Sequence, residues 1–96
     1  MIAAFSVRPT RTFERAFDKL VRRHQELPAR YQRVIGILQT DPYNTSRSHP
    51  IKKLTEVPAG DGQYRVRAGR FRFRYDIEGQ TVYLKACSLR REDTYR

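Results

Sequence analysis

The stretch Tyr64-Arg65-Val66-Arg67-Ala68-Gly69-Arg70-Phe71-Arg72-Phe73-Arg74-Tyr75-Asp76-Ile77 alternates apolar and charged residues on either side of a glycine. A period of two belongs to a half-buried strand, because successive side chains leave the pleat on opposite sides. Two strands meeting at Gly69 put Tyr64, Val66, Ala68, Phe71, Phe73, Tyr75 and Ile77 on one face. The other face is expected to carry Arg65, Arg67, Arg70, Arg72 and Arg74, with no acidic residue among them. Neighbouring strands lie about 4.8 Å apart, so cations this dense repel across the ladder unless counterions or a polyanion occupy the face. The pattern reads as a phosphate-binding face.

The elements on either side complete the sheet. Glu78-Gly79-Gln80 makes the next turn, and Thr81 to Cys87 is a third strand predicted to turn Val82, Leu84 and Ala86 inward. At the other end of the chain, residues 2–7 form a short apolar run, read as a first strand ended by Pro9. Thr10 or Thr12 can cap a helix whose stripe is Phe13, Ala16, Phe17, Leu20 and Val21. Leu27-Pro28 opens a second helix with Tyr31, Val34, Ile35 and Leu38 at the same spacing, and Asp41-Pro42 ends it. From Asp41 to Gly62 turn formers dominate, and only Ile51 to Leu54 and Val57 can pack; so long a connection in a small domain is functional or mobile. The fold class is α+β: a small antiparallel sheet in β-α-α-β-β-β order with a helical hairpin packed on one face.

Composition bounds the function. The chain has 96 residues, read as a single domain over 1–96, with 20 Lys+Arg against 10 Asp+Glu and a net charge of +10. Sixteen of those cations are arginine, whose planar fork grips phosphate bidentately and stays charged when partly desolvated. The lone Cys87 excludes an internal disulfide, fits a reducing cytosol and reads as a structural thiol. No apolar run approaches the roughly 20 residues of a membrane span, and the apolar part of the start is too short for a secretion signal. The expected location is cytoplasmic, with no membrane partner.

The ten acids are scattered, so neither a metal nor another cofactor is expected, and Asp76 and Glu78 read as solvated partners of nearby arginines. RNA cleavage needs neither metal nor nucleophilic residue, because the RNA's own 2′-hydroxyl attacks the adjacent phosphate. Arginines suit the charge that develops there. Candidates for the proton transfers are Lys52, Lys53, Lys85, His49, His24 and Tyr95, with capping the expected role of His24. Tyr43, Tyr83 and Tyr95 are candidates for stacking on splayed bases. Lys52, Lys53, Arg70, Arg74 and Lys85 are the expected RNA contacts.

Lys53-Leu54, Tyr64-Arg65-Val66-Arg67 to Gly69, Arg72-Phe73-Arg74-Tyr75-Asp76-Ile77 and the ending Leu89-Arg90-Arg91-Glu92-Asp93-Thr94-Tyr95-Arg96 together resemble the RelE/ParE superfamily of toxins from type II toxin–antitoxin systems. The resemblance covers nearly the whole chain. It implies a metal-independent endoribonuclease that cuts mRNA in the ribosomal A site and so inhibits translation. Its implied catalytic positions fall on Arg65, Arg67, Arg72, Arg90 or Arg91, and Tyr95. RelE itself has lysines at the first pair; here both are arginine, which moves the role of base to Lys52, Lys53 or Tyr95. The implied partner is an antitoxin with an acidic or amphipathic segment that wraps the toxin. Two alternatives stay open: a ParE-like, non-catalytic inhibitor of DNA gyrase, and a non-catalytic RNA-binding module.

Overall fold

The computed structural model describes residues 4–90. The chain runs β1 (Ser6–Pro9), α1 (Arg11–Val21), α2 (Leu27–Thr40), β2 (Ile51–Lys53), β3 (Tyr64–Ala68), β4 (Phe71–Glu78) and β5 (Thr81–Leu89). The strands β2 to β5 form an antiparallel meander, and β1 lies beside β5 in the order β1-β5-β4-β3-β2. The sheet is thus antiparallel except at β1, which pairs parallel with β5 from Ser6↔Thr81 to Pro9↔Leu84. Pro9 is tolerated within β1 because that strand is an edge, where a missing N–H breaks no interior ladder.

Thr10 caps α1: its Oγ1 accepts the Phe13 amide at 3.3 Å and donates to the Leu84 carbonyl at 2.7 Å. One hydroxyl thereby starts the helix and ties it to β5. Pro28 stands in the first turn of α2, where its missing N–H costs nothing. The helices lay their stripes on one sheet face, α1 mainly over β5 and α2 over β3 and β1. Phe13, Leu27, Val34 and Leu38 meet Val66, Phe71, Phe73, Tyr75, Val82 and Leu84, all fully buried or nearly so. Tyr31 stacks on Phe73 with centroids 6.1 Å apart and planes at 16°, and Phe13 packs against both rings.

Three sequence expectations change. The first strand is Ser6–Pro9 rather than 2–7; pairing with β5 sets its bounds, and residues 1–3 lie outside the described residues. The long connection contains β2, which extends the meander beyond β3. Ala86 does not point inward. Arg74 faces Ala86 but Tyr75 faces Leu84, so Lys85 is an extra residue and β5 is bulged there. A bulge reverses the inside–outside alternation beyond it. Cys87 enters the core, and Ala86 joins the face of Arg74.

The start of the connection is also ordered. Asp41 accepts the Thr45 amide at 2.7 Å, the Ser46 amide at 3.1 Å and the Ser46 hydroxyl at 2.7 Å. The Ser46 hydroxyl, with those amides, holds the Asp41 carboxyl below its ordinary range. That support is complete above the ordinary carboxylate pKa and is lost as pH falls through the lowered one. Asn44 and His49 exchange two further bonds, Asn44 Nδ2 to the His49 carbonyl and His49 N to Asn44 Oδ1. The buried Tyr75 hydroxyl donates to the Pro42 carbonyl at 2.8 Å, joining this segment to β4.

Tyr75→Phe removes that donor and leaves a buried carbonyl unpaired, so it is expected to cost about 1–3 kcal/mol in a urea titration. An unchanged midpoint would show that the bond does not hold the segment. Burial pushes the Cys87 thiol up to about 12. It is therefore protonated at neutral pH, and a thiol reagent is expected to label it only as fast as the chain unfolds, with full labelling in guanidinium.

Candidate nucleic-acid interface

The sheet face turned away from the helices is built by register. Arg67 lies opposite Arg72, and Arg65 lies opposite Arg74. Lys52 extends the second pair as the partner of Arg65 on β2, and Ser88 and Ala86 continue the two rows onto β5. Two rows result: Lys52–Arg65–Arg74–Ala86 and Arg67–Arg72–Ser88. Arg67 and Lys52 are exposed, whereas Arg65, Arg72 and Arg74 are half-buried. Five cations on three adjacent strands form one electropositive field that attracts a polyanion.

Arg70 is not on this face. It occupies the β3–β4 turn and bends toward the helices, bonding Glu26 Oε2 at 2.6 Å and lying 3.0 Å from His24 Nδ1. That bond with Arg70 is the main reason the Glu26 carboxyl sits below its ordinary range. Two residues make the turn, so the alternation of the strands does not pass through it. Gly69 has φ +62°, and the Arg30 guanidinium comes so close that a Cβ would stand 2.8 Å from its Nε. His24 also sets its ring edge-on to Phe71. It joins the α1–α2 connection to the β3–β4 turn.

Asp76 is likewise not a solvated partner for arginine. It is buried, and its two carboxylate oxygens accept the amides of Gly62 and Gln63, both at 2.9 Å. From the same face of β4, Arg74 donates Nε to the Gly62 carbonyl at 3.1 Å and a terminal nitrogen to the Asp61 carbonyl at 2.9 Å. Two side chains, i and i+2, thus hold the end of the β2–β3 connection by both its amides and its carbonyls. Gly62 has φ +82°, and a Cβ there would meet the Arg74 Cβ at 3.0 Å. The sequence signal was the acid that follows Arg72 and Arg74 in the alternation of β4.

The remaining candidates fall in several places. Lys53 pairs with Tyr64 and holds its ammonium 5.6 Å from that ring's centroid, on the helix side of the sheet. Tyr43 is 52% exposed and packs edge-on against Tyr64 and Phe5, also away from the arginine rows. His49 lies 3.8 Å from Asp41 in the connection after α2. Tyr83 faces Asp76 on the arginine side, and Lys85 stands at the bulge. Arg90 follows β5, exposed, with its amide donating to the Arg70 carbonyl at 2.6 Å. Arg91 and Tyr95 lie outside the described residues. Among the described residues, no three His, Cys, Asp or Glu side chains gather where they could hold a metal ion. Nor is any described helix long and apolar enough to cross a membrane.

No protein-family model and no curated protein matches the chain. Solved structures do. The chain is similar to one in the toxin–antitoxin complex RelBE2 from Mycobacterium tuberculosis, at 28% identity and a TM-score of 0.70, with 94% of each chain covered. It is also similar in fold to one in the archaeal RelE–RelB complex from Pyrococcus horikoshii OT3, at 21% identity and a TM-score of 0.65, covering 91% of this chain and 96% of that one. Over 94% of its length the chain therefore carries the RelE fold that its strand motifs imply.

Proposed function

We propose that this chain is the toxin of a type II toxin–antitoxin system and acts as a metal-independent endoribonuclease on mRNA at the ribosome. The observation that carries the proposal is the pair of cationic rows, Lys52–Arg65–Arg74 and Arg67–Arg72, on a RelE-like sheet. In the reaction, the 2′-oxygen of one nucleotide attacks the adjacent phosphorus and the bond to the 5′-oxygen breaks. The products are a 2′,3′-cyclic phosphate and a 5′-hydroxyl. The proton leaves the 2′-hydroxyl for a base, and a second proton reaches the departing oxygen. Arg67 and Arg72, opposite one another, are assigned to the charge that gathers on the phosphoryl oxygens. Lys52 shares their face and is the assigned proton acceptor, since Lys53 lies over Tyr64. Arg65 and Arg90 bind flanking phosphates, and Arg91 and Tyr95 keep the roles that the family resemblance implies.

The partner that such a face calls for is an antitoxin carrying an acidic segment. Its carboxylates would neutralise the rows and speed encounter, and the association would weaken with salt. Both neighbouring structures are of toxin–antitoxin complexes, which supports that partner.

Arg67→Ala and Arg72→Ala are each expected to slow cleavage by about 10²–10³-fold, the usual loss for one donor to a transition-state oxyanion. Tyr95→Phe is expected to lower it as well. The measurement is the mapping of mRNA 5′ ends after brief expression, alongside growth, with thermal unfolding as the control for folding. New ends within translated codons that disappear in the variants support the reading. Full toxicity of all three variants, or intact messages with a supercoiling defect, would overturn it in favour of a gyrase inhibitor.

A further inference from the structure

The arginine rows end at a cleft that phosphate chemistry alone does not explain. It lies between the 56–61 segment of the β2–β3 connection and the bulge of β5, and has a volume of about 570 Å³. That size is within the roughly 300–1,000 Å³ of small-ligand sites. Arg74, which also belongs to the rows, lines it together with Lys85 and Ala86 of the bulge. Val57 and Pro58 add apolar lining, and Thr12 adds a hydroxyl from α1.

The chemistry of this lining differs from that of the rows. Among the described residues the rows carry cations and no carboxylate, whereas the cleft also has Glu56 and Asp61 on its border. Charges of both signs side by side do not concentrate phosphate. A mixed lining, apolar at Val57, Pro58 and Ala86 with donors and acceptors between, suits a flat heterocycle that has a π-face and a polar edge. Arg74 adds a planar surface. Two loop carbonyls fix its guanidinium, and such a held plane suits stacking better than a freely rotating one.

We propose that this cleft is a nucleobase subsite, filled by a base of single-stranded RNA whose backbone lies on the arginine rows. The inference rests on the proposed RNA-cleaving function for the identity of the strand. Arg74 and Asp76 are positioning residues for the subsite: their four bonds hold the segment that walls it. The bulge brings Ala86 to the cleft, because in an unbulged β5 Lys85 would face Arg74 and the alternation would turn Ala86 to the core.

The test is a titration of the full chain with an RNA trinucleotide and with its abasic counterpart, followed by amide NMR. Base-dependent shifts at Gly60, Asp61, Lys85 and Ala86 are expected with the first probe and absent with the second. Ala86→Leu adds bulk to the cleft and Val57→Ser removes apolar lining. Each is expected to weaken the trinucleotide by about 5- to 100-fold, the range for one lost base stack, and to leave the abasic probe unchanged. Equal shifts from both probes, or unaltered affinity in both folded variants, would overturn the subsite. Cleavage with silent cleft amides would sink this inference alone. Base-dependent shifts in a protein that cuts no message would sink the nuclease reading and leave the subsite standing.

Discussion

The pairing of β3 with β4 is the constraint from which the rest follows, and it forces arginine beside arginine. Arg65 faces Arg74 and Arg67 faces Arg72, and no slip of register by a single residue separates them without reversing the pleat. Such a slip would carry Val66, Phe73 and Tyr75 into water. Two unit charges about 5 Å apart repel by roughly 1 kcal/mol in bulk water. Each large apolar side chain that leaves the core loses about 1.5–3 kcal/mol. The apolar face therefore wins by a wide margin. The helices, by covering Val66, Phe71, Phe73 and Tyr75, hold the cations together on the other side. The field is a product of the core.

Once the charges are fixed on that face, their surroundings divide their work. Arg74 and Asp76 stand two apart on β4, and between them they satisfy the backbone of residues 61–63. Charge-assisted bonds to backbone groups are among the stronger hydrogen bonds, and a connection held by four of them keeps a defined shape. Arg70 is drawn to the opposite side by Glu26 and His24, which locks the β3–β4 turn to the α1–α2 connection. Arg70 and Arg74 thus both spend donors within the protein.

The fold was legible in the sequence to the extent that periodicity governs it. Phe13, Ala16, Phe17, Leu20 and Val21 at helical spacing, and the alternation over 64–77, foretold which faces would meet. What periodicity does not record is a change of phase. Lys85 looks like any exposed position of β5, and nothing local marks it as an extra residue, so alternation alone puts Ala86 on the wrong face. Arg70 fails for a related reason: it belongs to a turn, where alternation has no meaning. The three-residue β2 is too short for a pattern of its own and exists because β3 offers it an edge. Asp76 required knowledge of where residues 62 and 63 return, which is tertiary information.

The same distinction decides how the candidate site is to be understood. Charge by itself assigns the five arginines a single role, since each is a cation near the others. Hydrogen bonding separates them. A guanidinium whose Nε and terminal nitrogen are held by backbone carbonyls offers a phosphate fewer free donors, while its plane is fixed. Arg67, exposed on β3 opposite Arg72, has no such commitment to the loop and can turn toward a ligand. On the proposed reading the rows grade from Arg67, assigned to phosphate, to Arg74, whose donors hold the 61–62 carbonyls where the bulge and the 56–61 segment make a cleft. An RNA strand bound as proposed would be held at two points, its phosphodiester at one end and a base at the other, and two-point holding restricts the freedom of the reacting groups.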